Sequence, residues 1–183
     1  EDKLVEEVKE IKEDGNVNQA ALVMGYRTYT NIFSPDFRAY QIFDMMLAGS
    51  AISTLHQVIR EKHNLCYSIY TSNFHYNKIM FIRAGIDKNN YEKTVKLIKE
   101  ELEKYKNGII DTELLNIVKQ DAINQYIDIT DYPNELINLR LRKDVLNLEN
   151  DPEMIMQEIK NVTKEDIVKI ANKIKLDTIY MLS

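Results

Sequence analysis

Hydrophobic residues along the chain fall into two periods. Leu4, Val5, Val8 and Ile11 recur at helical spacing in a charge-rich start, predicting a short amphipathic helix or a linker over residues 1–16. The turn Asp14-Gly15-Asn16 ends it. From Val17 to Tyr29 the residues become Ala, Leu, Val, Met and Tyr, the first predicted strand, with Ala20, Leu22, Met24 and Tyr26 on one face and Ala21, Val23 and Gly25 on the other. Neither face is charged, so cover on both sides is expected. Ser34-Pro35-Asp36 offers a cap and a proline at the first turn of a helix carrying Tyr40, Ile42, Phe43, Met45, Met46 and Leu47, which stops near Gly49-Ser50. A second helix is predicted from Ala51 to Lys62, with Ile52, Leu55, Val58 and Ile59 inward. Alternation from Leu65 to Ser72 and the run Lys78 to Ile86 predict two strands joined by a hairpin over Asn73 to Asn77.

The second half is helical. Tyr91, Val95, Ile98, Leu102 and Tyr105 share one helix face, closed by Asn107-Gly108. Further helices start at Asp111 or Thr112, with Leu115, Val118, Ala122 and Tyr126 inward, and at Pro133, with Leu136, Leu139, Val145 and Leu146. Two more follow, capped by Asp151 and by Thr163 and carrying Ile167, Ile170 and Ile174. Thr178 to Leu182 reads as a closing strand. A hairpin beside helices grouped in runs predicts an α+β fold, its sheet mostly antiparallel with helices packed on one face. No repeat, low-complexity tract or linker interrupts residues 17–183, expected to be a single domain.

At 183 residues with 44% hydrophobic content, such a domain buries enough surface to need no disulfide or metal. The only cysteine, Cys66, fits a reducing compartment, and a cytoplasmic location is expected. The net charge of -5 and lysines that alternate with glutamates argue against nucleic acid. No apolar run reaches the ~18 residues of a membrane span. The start has neither an apolar signal-peptide core nor an initiator methionine, so processing or excision from a longer chain is expected.

Candidate chemistry is sparse. His56 and His63 lie seven residues apart, roughly 10 Å along a helix, too far to share an ion, and no His-x-x-Glu-His or His-Glu-x-x-His occurs. There is no Gly-x-Ser-x-Gly elbow, the five glycines do not cluster, and Cys66 sits in a strand pattern. What remains is Gly49 to Tyr67. Here Ser53, His56, Arg60 and His63 oppose the apolar stripe, Arg60 closes the helix, and Tyr67 opens the strand. A guanidinium and a phenol brought together there suit a carbonyl or an oxyanion. Spacing alone favours the blander roles, Arg60 as a helix-dipole partner and Tyr67 as an aromatic at the core's edge.

The same stretch resembles the second domain of the insulinase/pitrilysin zinc peptidases, a family that includes the mitochondrial processing peptidase. The resemblance rests on Gly49, Ser53, Leu55, Arg60-Glu61-Lys62 and Leu65-Cys66-Tyr67, and it extends in order from Gln19–Tyr26 through Asp87 to Val162–Asp166 and Asp177–Tyr180. It is nearest to the bacterial branch often regarded as inactive. Ser50 and Thr54 depart from it, standing where a second glycine and an arginine are common. The resemblance implies a mitochondrial-processing-peptidase-like domain that holds no cofactor itself. A homologous domain or subunit would carry zinc on His-x-x-Glu-His, and Arg60 and Tyr67 would bind an unstructured peptide and stabilise its tetrahedral intermediate. It equally admits an inactive scaffold or peptide-binding subunit of the same fold.

Overall fold

The structure is a computed structural model that describes residues 4–15, 17–129, 132–146 and 151–183. Asn16 of the first turn therefore lies outside the described residues. The strands are β1 Lys9–Glu13, β2 Ala20–Arg27, β3 Cys66–Phe74, β4 Ile79–Ile86 and β5 Lys175–Leu182. The helices are α1 Phe37–Ala48, a π-helix His56–Lys62, α2 Tyr91–Lys106, α3 Thr112–Ile129, α4 Pro133–Leu146, α5 Pro152–Asn161 and α6 Lys164–Lys173.

The sheet order is β1-β5-β2-β4-β3. All pairs are antiparallel except β1 with β5, as α+β requires of hairpin-linked strands. The closing strand enters after the helical run and lies between β1 and β2. One sheet face is buried: Ala20, Leu22, Met24 and Tyr26 lie beside Met80, Ile82, Ala84 and Ile86, with Ile69, Ile179 and Met181. Helices cover this face with Ile42, Phe43, Met46 and Leu47 of α1, Ile98 and Leu102 of α2, and Ile167 and Ile170 of α6. Each such side chain contributes ~1.5–3 kcal/mol by leaving water.

The opposite face departs from the expected double cover. Ala21 is exposed and Val23 half-buried; only Gly25 is shielded, by Phe81 lying across it. Four other expectations are corrected. Lys9–Glu13 is a strand rather than a helix, because β5 offers it a backbone ladder and no apolar surface calls for a helical stripe. The helix opened by Ser34-Pro35-Asp36 starts later, at Phe37, since Ser34 is occupied with Asn31 and its carbonyl takes the Phe37 N–H. Ile52 is 43% exposed, because regular winding begins only after Ser53. On α4, Val145 is 69% exposed and Leu136 38%, since that helix touches mainly α3.

Helix ends are set locally. Thr163 and Asp166 form a reciprocal capping box on α6. The Lys119 ammonium donates to the Lys160 and Val162 carbonyls at 2.7 Å each, closing the C-terminal end of α5.

Candidate active-site junction

The approach to the junction is fixed by packing. An added Cβ at Gly49 would stand 2.6 Å from Met45 Cα, so the turn after α1 admits no side chain without moving backbone. Ser53, expected on the solvent face, is fully buried, and its hydroxyl donates to the Ser50 carbonyl at 2.6 Å. Thr54 bonds the Tyr105 hydroxyl at 2.6 Å, and Leu55 and Ile59 are fully buried.

The helix carrying Arg60 is of π type, with bonds one residue longer than in an α-helix, as in His63 N–H to the Val58 carbonyl at 3.2 Å. Asn64 then takes a left-handed conformation (φ 49°), and Leu65 N–H returns to the Ile59 carbonyl at 2.9 Å. The chain thus reverses into β3 within three residues, 63–65. In β3, Cys66 pairs with Ile86 and Ser68 with Gly85, leaving Tyr67 as the extra residue of a β-bulge. Both candidate residues therefore sit at backbone irregularities, a kind of feature that concentrates at functional sites.

Tyr67 is 71% exposed, and its hydroxyl has no hydrogen-bond partner among the described residues. The Arg60 guanidinium is half-exposed, with Nη1 3.0 Å from His56 Nε2 and Nε 3.7 Å from Glu61. The two side chains share the junction but do not bond each other, and the four surface cavities described are lined by neither. Burial pushes the Cys66 thiol up; the Arg60 charge opposes this and Glu61 reinforces it. The thiol is therefore kept protonated, unlike a nucleophile.

The histidines do not converge. His56 is tied to Arg60, while His75 lies 5.1 Å from the Phe37 ring, against α1. Among the described residues no three His, Cys, Asp or Glu side chains are grouped to hold a metal ion. The donor set does not fit zinc, and the junction's own chemistry is hydrogen-bond donation from two exposed groups. Two features escaped the sequence reading. The bulge leaves no compositional trace, whereas Arg83, a cation inside the otherwise uncharged strand Ile79–Ile86, carries a visible signal.

Known proteins resemble this chain in sequence and fold. A family profile described as the peptidase M16 inactive domain matches residues 1–121. The chain belongs to this family. A probable inactive metalloprotease, YmfF of Bacillus subtilis, is 31% identical over 174 residues, 95% of this chain and 41% of that protein. A conserved protein from Enterococcus faecalis superposes with a TM-score of 0.93 at 24% identity, over 100% of this chain and 43% of that one. A peptidase M16 inactive domain from Pseudomonas fluorescens gives 0.83 at 16% identity, over 100% and 45%. This M16 inactive domain spans about two fifths of the curated relatives it matches, which are 41% and 39% covered. No helix among the described residues is long and apolar enough to cross a membrane.

Proposed function

We propose that this M16 inactive domain is the non-zinc half of a zinc-dependent peptidase: it closes a chamber over an unstructured peptide, and Arg60 and Tyr67 donate hydrogen bonds to the peptide backbone. The observation that carries the reading is that the π-helix and the bulge place a phenol unpaired among the described residues and an only partly engaged guanidinium at one junction, facing solvent rather than core. Only one Arg60 N–H engages His56, so further donors remain for a carbonyl or a developing oxyanion. Edge strand β3 leaves one row of backbone groups open, to which an extended peptide would add. Zinc and the general base would belong to a homologous domain or subunit. The buried, unpaired Cys66 supports a reducing, cytoplasmic setting, and the net charge of -5 disfavours nucleic acid.

A second reading, a catalytically inactive scaffold or peptide-binding subunit, is favoured by the contacts of Arg60 with His56 and Glu61, which give it a structural role. One experiment separates the two. The full-length protein is combined with its zinc-bearing partner, and peptide turnover is compared for Arg60→Ala and Tyr67→Phe. Loss of either donor lowers turnover by ~100-fold or more on the first reading. Unchanged turnover would leave the second.

A further inference from the structure

Beside the bulge, on the sheet face that no helix covers, stands Arg83 of β4. It is opposite Tyr70 on β3 and Val23 on β2. Its guanidinium carbon lies 5.5 Å from the centre of the Phe81 ring, which meets Phe74 edge-on at 5.8 Å. Its Nε is buried and has no hydrogen-bond partner among the described residues. Arg83 as a whole is half-buried, and its one buried N–H, left unpaired, is costly unless something else completes it.

Two other charged groups near this face have partners. Arg27, at the far end of β2, is matched by Asp177 at 2.9 Å, and Glu13 accepts from the Tyr180 hydroxyl at 2.8 Å. Arg83 alone of the two β2 and β4 arginines has no carboxylate within ion-pair distance among the described residues. Its surroundings, Tyr70, Ser68 and Ser72 on the facing strand, offer hydroxyls and no acid.

We propose that Arg83 binds a side-chain carboxylate of the peptide, making this domain selective for acidic segments. The assignment rests on the peptide-binding reading above. Ser68, next to Tyr67, pairs with Gly85, and Arg83 lies two residues further along β4, a step of roughly 7 Å. Along the strand direction, a peptide added to β3 with a carbonyl at Tyr67 presents its acidic residue about two positions away, and the two long side chains meet over Tyr70, because β3 lies between the added strand and β4. A guanidinium with an unspent fork and an aromatic wall suits a planar carboxylate, which it can grip through two parallel bonds.

The test measures anisotropy of fluorescein-labelled, C-terminally amidated peptides on the full-length protein. A single Glu is moved through an otherwise uncharged, unstructured sequence, with the Gln counterpart of each peptide as reference. At the productive position Glu binds roughly tenfold tighter than Gln. Arg83→Gln abolishes the preference, and Arg83→Lys keeps part of it while melting like the parent. Arg60→Ala and Tyr67→Phe weaken Glu and Gln peptides alike. Equal binding of Glu and Gln peptides that remains sensitive to Arg60 overturns the Arg83 assignment and leaves the peptide reading intact. A preference that survives in Arg83→Gln overturns it as well. Failure of every peptide to bind removes both.

Discussion

Asp44 shows how a single side chain sets the footing of the edge strand. It projects from α1 toward β3, where its Oδ2 accepts from Asn73 Nδ2 at 2.8 Å, and Asn73 in turn accepts from the Tyr40 hydroxyl. Its Oδ1 is buried without a partner among the described residues. Burial pushes the carboxyl's pKa up; the nearby Thr71 hydroxyl, the Asn73 hydrogen bond and His75 pull the other way and do not cancel it. A carboxyl whose folded value is raised binds its proton more tightly in the native state. Its favourable contribution is complete below the unfolded value near 4 and is lost as pH climbs through the folded value. Asp44→Asn should therefore raise Tm at pH 7, with the gain shrinking toward pH 4, as thermal melts across that range would show. A gain independent of pH would assign the effect to something other than ionisation. Ser53 makes a related point about legibility. As a serine in a helical pattern it reads as a surface residue, and only the Ser50 carbonyl, brought close by the turn, makes its burial tolerable.

Among the elements, those whose hydrophobic period matches their surroundings were legible. Tyr91, Val95, Ile98, Leu102 and Tyr105 of α2 are all buried, as their spacing required, and the capping residues of α5 and α6 stand where the sequence placed them. On α6 the box makes a direct prediction. Thr163→Ala removes the acceptor for Asp166 N–H at 3.2 Å and should cost about 1 kcal/mol in urea unfolding. A cost near zero would mean that water replaces the hydroxyl. Elements whose identity comes from a distant partner were not legible. All five residues of β1 are exposed, so no buried side marks it as a strand; its ladder to β5 decides. The π-helix is likewise invisible, because Leu55 and Ile59 fit an α-helical stripe equally well. Within the candidate site, the sequence placed Arg60 at a helix end and Tyr67 at a strand start. It could not show that neither would be buried.

For the molecule as a whole, the sheet joins sequence-distant parts. Glu13 and Leu182 are partners in one ladder, and Gly15 N–H donates to the Ser183 carbonyl at 2.7 Å. Without β1, β5 would be an open edge next to the central strand. Replacing Lys9–Glu13 by alternating Gly and Ser should strip hydrogen-exchange protection from the β5 amides that face β1 while those of β4 stay protected. Equal loss in both strands would mean that the sheet opens as one unit. The division of faces matters to function at the same scale: helices take one side of the sheet, leaving Tyr67, Tyr70, Arg83 and Phe74 available to whatever meets the other.

In β3, Cys66 and Ile69 are both buried, although they are separated by an odd number of positions, which simple in-out alternation forbids. Tyr67 supplies the missing half-step. With it excised, the inward positions would follow one another evenly and the hydrogen-bonded ladder would close without a gap. The phenol is thus surplus to the architecture, an insertion that the strand accommodates at the expense of its own regularity.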